Sequence, residues 1–160
     1  MAQQLESNNL EEAFDIIGQD LVKTLIKNLL NANKKATGQL IRSIDYKIIE
    51  KVNGLMIELR AANYLTNVDE GRKRGAKQPP TRALDKWISA RGITMKDKKG
   101  KPISKESAKF LIARSIKRNG IRPTNVIKNT IDEVYNNKQK LIETAAIEDI
   151  SDLIDKIIIK

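Results

Sequence analysis

The 160-residue chain contains no cysteine and no histidine. Without cysteine there is no disulfide and no thiolate nucleophile, and without either residue the zinc sites built from them are excluded. The absence of histidine also excludes every catalytic triad that depends on an imidazole base. Carboxylates are left as the side chains best able to hold a metal or move protons near neutral pH. This argues against most enzyme classes, though not against all, and we expect no catalytic residue, no metal site and no cofactor.

Aromatic residues and long apolar runs are also scarce. Aromatics make up 4% of the chain, so a core must consist mainly of Ile, Leu and Val. No run of about 18 uncharged apolar residues occurs, so we expect no membrane-spanning segment. The first residues lack the basic-then-apolar pattern of a signal peptide, which favours synthesis in the cytoplasm. The length is typical of one domain, predicted over residues 9–160 after a disordered tail at residues 1–8.

Positive charge is plentiful and unevenly placed, and the net charge is +10. Between Gly71 and Arg122 there are 17 Lys/Arg against 3 Asp/Glu, whereas the rest of the chain has 13 against 17. A basic block of this kind indicates a polyanion or an acidic neighbouring subunit as partner. A solvated surface without a partner is the alternative.

The N-terminal part of the chain predicts a long helix followed by a β-hairpin. Apolar residues recur at helical spacing from Asn9, a candidate cap, to about Asn33, with Gly18 inside the pattern at a cost of roughly 1 kcal/mol relative to Ala. Period-two alternation on both sides of Asn53-Gly54 predicts a hairpin over about 42–61. Because a lone hairpin is marginal in water, we expect the helix to cover its apolar face. The predicted fold class is α+β, with this long helix packed on a small antiparallel sheet and several short helices.

Two basic loops, each followed by a short helix, are predicted in the middle of the chain. Thr81 is a candidate N-cap for the first helix, whose Trp87 we interpret as a core anchor, and Ser104 is a candidate N-cap for the second. After Ile121 the pattern is helical again, with a break allowed at Asn136-Asn137 and a last helical segment over 141–159. Taken alone, the three isoleucines at its end could also form a strand. The cations of the two loops are our candidate contacts with DNA or a partner protein: Arg72, Lys73, Arg74, Lys77, Lys96, Lys98, Lys99 and Lys101.

Several motifs occur in a fixed order. The predicted N-terminal helix leads to Thr-Gly-Gln-Leu-Ile-Arg-Ser-Ile at residues 37–44, and the hairpin leads to Tyr64 and to Val-Asp-Glu-Gly-Arg-Lys at residues 68–73. A helix led by two prolines and carrying Trp87 comes next. The segment 112–124, which contains Ile-Ala-Arg-Ser-Ile and Gly-Ile-Arg-Pro-Thr, completes the order. In this order and spacing the chain resembles the tail-completion or head–tail joining (minor tail, neck) proteins of tailed bacteriophages.

The resemblance implies a structural virion protein rather than an enzyme. It implies a subunit of the phage neck or upper tail that forms a ring with copies of itself around the DNA channel and contacts connector and tail proteins. The implied location is the virion, after assembly in the host cytoplasm, with no membrane partner. The basic loops could meet genomic DNA there through non-specific phosphate contacts, weak enough to let the DNA pass.

Two other functions stay open. A small basic protein that binds nucleic acid non-specifically would use the same loops, although the chain lacks interleaved aromatics and any helix-turn-helix pattern. A carboxylate-based enzyme would need clustered acids. Asp69-Glu70 lies beside basic residues, and we interpret the acids near the C-terminus as the polar face of a helix: Glu148, Asp149, Asp152 and Asp155.

Overall fold

The computed structural model describes residues 8–34, 37–52 and 54–158. Its architecture is α+β, as predicted. Within these residues the elements follow in this order: α1 (Asn8–Asn31), α2 (Gln39–Arg42), β1 (Asp45–Lys51), β2 (Gly54–Arg60), α3 (Leu65–Glu70), a 3-10 turn (Thr81–Leu84), α4 (Asp85–Arg91), α5 (Lys105–Asn119) and α6 (Val126–Ile158). Except for Asn8, which begins α1, the predicted tail at residues 1–8 lies outside the described residues.

The chain divides into two compact units, and separated stretches of sequence contribute to each. The first consists of the described parts of Met1–Asn28, Ser43–Ala61 and Val126–Lys160. The second consists of the described parts of Leu29–Arg42 and Ala62–Asn125. One domain over residues 9–160 stays a prediction.

In the first unit, α1 and α6 run antiparallel. Polar contacts mark the pairing in order along the two helices: Asn28 with Thr130 (3.1 Å), Lys27 with Glu133 (2.6 Å), Asp20 with Lys138 (3.0 Å) and Asn9 with Asp149 (2.9 Å). As the position on α1 falls from 28 to 9, the partner on α6 rises from 130 to 149. At 1.5 Å per residue the paired length is about 28 Å. Small and apolar side chains of the two helices are buried, among them Ala13, Ile17, Leu25, Val134 and Ala145.

Helix α6 is continuous from Val126 to Ile158, which corrects two expectations. The break allowed at Asn136-Asn137 does not occur, because contacts with α1 on both sides of these exposed asparagines hold the helix together. Asparagine is only a modestly poor helix former, so packing decides the conformation here. The strand alternative for the terminal isoleucines is also wrong as far as Ile158; Ile159 lies outside the described residues.

The predicted hairpin is confirmed, with antiparallel strands that pair from Asp45 with Arg60 to Lys51 with Gly54. This register makes residues 52–53 the connection, one residue earlier than the Asn-Gly pair suggested, and Asn53 itself lies outside the described residues. Tyr46 opposes Leu59, as the alternation predicts. The ring of Tyr46 packs on α1 at Gly18, so the long helix covers this face as expected.

In the second unit, α4 and α5 pack antiparallel. Lys109 Nζ lies 2.8 Å from Asp85 Oδ1, and Lys105 Nζ donates to Ser89 Oγ at 2.9 Å. The predicted cap of α5 is confirmed, since Ser104 Oγ accepts the Ser107 N–H at 3.1 Å. These contacts fix the helix whose C-terminal end meets the first basic loop.

Two details of α4 differ from the expectation. Thr81 does not cap the helix but begins the 3-10 turn, and no side chain caps the start of α4 at Leu84. Trp87 is not a core anchor: 37% of it is exposed, whereas the neighbouring Ile88 is 3% exposed. A helix of seven residues buries one narrow face, and Ile88 occupies it.

Candidate polyanion interface

The two units carry opposite net charges. The sequence of the second unit holds 20 Lys/Arg against 5 Asp/Glu, a net charge of +15. The first unit holds 10 against 15, a net charge of −5. All eight cations predicted as contacts belong to the second unit, so its surface is the place to look for a polyanion site.

A short antiparallel bridge joins the first basic loop to the segment after α5. The Arg72 N–H donates to the Ile121 carbonyl at 2.8 Å, and the Ile121 N–H donates to the Arg72 carbonyl at 2.9 Å. Three residues after Arg72, the Gly75 N–H donates to the Lys117 carbonyl at 2.8 Å. The loop therefore lies directly against the C-terminal end of α5.

Two glycines allow this approach. Gly71 and Gly120 precede the two bridge residues and have φ angles of +69° and +71°, which side-chain-bearing residues rarely adopt. A Cβ on Gly71 would lie less than 3.0 Å from the Ile121 carbonyl oxygen, and a Cβ on Gly120 less than 3.0 Å from that of Arg72. Each backbone occupies the space where the other glycine would carry a side chain.

Further bonds hold both ends of the bridge. Thr124 Oγ1 donates to the Val68 carbonyl at 2.9 Å, and the Thr124 N–H donates to the Asp69 carbonyl at 2.8 Å. The Arg72 guanidinium donates through Nη2 to the Lys77 carbonyl inside its own loop. Arg72 is therefore half-buried and supports the loop rather than facing solvent.

The bridge places exposed cations from two distant sequence segments on one frame. We call them the bridge cluster: Lys73, Arg74, Lys117, Arg118 and Arg122, all exposed. Of the predicted contacts, Lys73 and Arg74 belong to it. The other three members, Lys117, Arg118 and Arg122, were not among the predicted contacts. They follow Lys73 and Arg74 by some 45 residues, so the sequence does not show that they share a surface with them. The sequence signal that could have identified these three cations is the pair of glycines at 71 and 120, because each immediately precedes a bridge residue.

The second basic loop is held by its own turn. The Asp97 carboxylate accepts the Lys99 N–H at 2.8 Å and the Lys101 N–H at 2.9 Å, and Lys96 pairs with Pro102 across the loop. We call the exposed ammonium groups of this loop the lysine finger: Lys96, Lys98, Lys99 and Lys101. The finger and the bridge cluster are thus two groups, each fixed by a separate set of hydrogen bonds.

Most acids of the second unit are engaged locally. Asp85 and Glu106 both pair with Lys109, at 2.8 and 2.9 Å, and these bonds lower the pKa of each carboxyl and raise the pKa of Lys109. Lys109 is 12% exposed, so these two acids neutralise a largely buried cation. Asp97 is occupied by the finger's backbone. Among the residues that the structure describes, no ion pair engages the cations of the bridge cluster or of the second basic loop.

An acidic groove in the first unit bears on the enzyme alternative. It has a volume of about 550 Å³ and is lined by carboxylates and apolar side chains: Glu11, Glu12, Asp15, Ile48, Glu50 and Leu55. The hydrogen bond from Tyr46 lowers the pKa of Asp15, which keeps this carboxylate ionised rather than ready to donate a proton. Within the described ranges, no group of three or more acids is placed to hold a metal ion.

The C-terminal half of α6 carries an exposed apolar stripe. Ile147, Ile150 and Ile154 recur at helical spacing and are 67%, 58% and 48% exposed. Exposed isoleucines grouped in this way are typical of surfaces that another protein covers. None of the helices described here is long and apolar enough to cross a membrane.

Comparison with known proteins found no matching family model, no matching curated protein and no matching solved structure. The functional interpretation therefore depends on the motifs of this chain and on its own geometry.

Proposed function

We propose that this protein is a non-catalytic structural subunit of a tailed-phage virion, located in the neck or upper tail where head and tail join around the DNA channel. Its partners would be copies of itself in a ring, the connector and tail proteins, and the passing genome. Assembly would take place in the host cytoplasm.

The proposal is carried by the way two of its sequence motifs meet. The Gly-Arg-Lys and Gly-Ile-Arg-Pro-Thr segments are about 50 residues apart, yet the Arg72–Ile121 bridge joins them and Thr124 ties them further. Two motifs that are joined by hydrogen bonds belong to one structural unit. This supports reading their order as the mark of a fold rather than as chance similarity of short segments.

The surfaces of the chain support an assembling protein. The isoleucine stripe on α6 offers an apolar contact for another copy, because a ring subunit must bury part of its surface against its neighbours. The basic second unit suits the neighbourhood of DNA. Neither surface needs a catalytic group.

The test is the mass of the purified protein by light scattering, followed by negative-stain imaging. Rings, or closed oligomers that form when connector protein is added, are expected. Ile150→Asp should reduce the oligomer mass, whereas Ser151→Asp, with the same charge at an exposed neighbour, should not. A protein that stays monomeric alone and with connector or tail protein would refute the proposal.

A second candidate function is non-specific nucleic-acid binding by a free monomer, and the bridge cluster favours it. The two candidates differ in oligomeric state. Salt-dependent binding of duplex DNA by a monomer that never assembles would establish the second function in place of the first.

A further inference from the structure

We infer that the bridge cluster is a binding surface for the phosphate backbone of duplex DNA, and that the lysine finger is not part of it. The sequence alone does not distinguish the two basic loops, whereas in the structure each is held by its own set of hydrogen bonds. The biological setting of this inference rests on the proposed function. The binding itself is a property of the second unit and can be measured without any assembly.

The composition of the two groups differs in a way that matters for phosphate. Three of the five cations in the bridge cluster are arginines, whereas the finger contains lysines alone. The planar guanidinium donates two parallel hydrogen bonds to a phosphate, while an ammonium acts as a compact, strongly hydrated point charge. The cluster therefore has the chemistry that recognises phosphate by geometry as well as by charge.

The cluster is also held in advance of binding. Its loop residues and its α5 residues are connected by three backbone hydrogen bonds of 2.8–2.9 Å across the bridge. Gly71 and Gly120 bring the two backbones into contact. Because the frame is already formed, binding needs to order only the side-chain ends, which reduces the entropy lost on association.

Duplex DNA suits this surface better than an acidic protein does. DNA presents about one negative charge per 1.7 Å of helix axis, a uniform array that matches a unit of net charge +15. Three of the five acids of this unit are engaged: Asp85 and Glu106 pair with Lys109, and Asp97 accepts backbone N–H groups of the finger. The other two, Asp69 and Glu70, are outnumbered by the five cations of the bridge cluster. An acidic protein would have to place its carboxylates opposite these particular cations, because complementarity across a protein interface depends on the positions of the charges.

The experiment compares two triple variants that lose the same charge. One carries Arg74→Gln, Arg118→Gln and Arg122→Gln, and the other carries Lys98→Gln, Lys99→Gln and Lys101→Gln. Binding to a fluorescent duplex is followed by anisotropy over a range of salt concentrations. All six side chains are exposed, so we expect both variants to fold, and circular dichroism is the check.

We expect the arginine variant to lose slope in the plot of log affinity against log salt. The loss should be about 0.9 per phosphate contact removed, hence up to about 2.7 for three contacts. The lysine-finger variant should retain the wild-type slope. A third variant with Arg→Lys at the same three positions should keep the slope and bind less tightly, because the charges stay and the paired hydrogen bonds are lost.

Equal losses in the two triple variants would overturn the inference, because they would show binding by diffuse charge. So would a larger loss in the finger variant, or no binding of the duplex by the wild type at low salt. Displacement of DNA by poly-glutamate at equal charge concentration would point to an acidic protein instead. If the protein forms rings but binds DNA independently of the three arginines, the neck proposal stands and the inference about the bridge cluster is wrong. If it stays monomeric and its DNA binding depends on these arginines, the inference stands and the neck proposal is wrong.

Discussion

Gly18 lies directly beneath the aromatic ring of Tyr46. A Cβ on Gly18 would stand less than 3.0 Å from three carbon atoms of that ring, so no other residue leaves the ring in place. In the sequence this glycine is only a weak point of the long helix. In the structure it is the position where the helix accepts the hairpin, and the hairpin needs that cover because two strands alone are marginally stable.

We therefore expect Gly18→Ala to lower the free energy of unfolding by about 1–3 kcal/mol, since it overfills a packed contact. In an exposed helix the same change would stabilise by about 1 kcal/mol. Urea unfolding followed by circular dichroism measures the difference. In a Tyr46→Ala background the ring is gone, and Gly18→Ala should then be neutral or stabilising. A stabilising effect in both backgrounds would show that the contact is not as close as described.

The hydroxyl of the same tyrosine makes the stability of the first unit depend on pH. Tyr46 Oη donates to Asp15 Oδ1 at 2.5 Å, and Gln19 Nε2 donates to Asp15 Oδ2 at 2.8 Å. The tyrosine bond is the main cause of the lowered pKa of Asp15, and the Asp15 carboxylate is the main cause of the raised pKa of Tyr46.

Tyr46→Phe should therefore destabilise the protein in a defined pH window. The stabilisation linked to Asp15 is present above the ordinary carboxyl pKa of about 4 and is lost as the pH falls through the lowered folded value. The stabilisation linked to Tyr46 is present below about pH 10, the ordinary pKa of tyrosine, and is lost as the pH rises through the raised pKa of Tyr46 in the folded protein. The difference between the two proteins in urea unfolding should be largest between these limits and shrink towards both ends. A difference that is constant with pH would contradict the bond.

Much of the fold followed from the sequence because its signals were local. The hairpin alternation, the Ser104 cap and the helical stripe of α1 each depend on residues within a few positions of one another. The break that Asn136-Asn137 allowed does not occur, because contacts with α1, more than 100 residues away, keep α6 continuous. Trp87 was placed wrongly because its residue type is typical of cores, whereas a seven-residue helix had room for only Ile88.

The candidate site was also only partly predictable from local sequence signals. Lys73 and Arg74 could be singled out from their basic loop, but the cations of α5 join them only through the bridge between Arg72 and Ile121. Charge counts along the sequence do not show which cations share a surface. The two glycines that permit the bridge look like ordinary ends of helices until their backbones are seen to touch.

Asp149 should act as the N-cap of a helix to which it does not belong. Its carboxylate accepts the N–H groups of Asn9 and Leu10, each at 3.1 Å, and the Asn9 side-chain amide at 2.9 Å. Asn9 was the expected cap of α1, but Asp149 on α6 takes this role. From the sequence, we interpreted Asp149 as part of the polar face of its own helix. We expect Asp149→Ala to lower the free energy of unfolding by about 1–2 kcal/mol, as loss of other N-caps does.

Asp152→Ala, at an exposed acid of the same helix, is the matched control and should change stability by less than about 0.5 kcal/mol. Hydrogen exchange gives a second measure, because the first turn of α1 should lose protection in the Asp149 variant alone. Equal effects of the two substitutions would mean that the loss of negative charge, rather than the cap, is responsible.

The bridge of the second unit should fail when Gly120 gains a side chain. Gly120→Ala adds a methyl group less than 3.0 Å from the Arg72 carbonyl oxygen at a φ of +71°, so both the contact and the backbone angle oppose it. We expect a loss of about 2–4 kcal/mol, combining overpacking with the penalty for a left-handed alanine. Trp87, the sole tryptophan, lies in the same unit and reports unfolding in urea by its fluorescence.

Gly75→Ala separates the two contributions, because Gly75 has a φ of +80° but no atom within 4 Å of the position of the added methyl group. It should show only the backbone penalty of about 1–2 kcal/mol. Gly120→Ala should in addition weaken DNA binding while every cation of the bridge cluster is retained, whereas Gly75→Ala should leave it nearly unchanged. If both variants bind DNA like the wild type, the cluster does not depend on the bridge, and its cations act as independent surface charges.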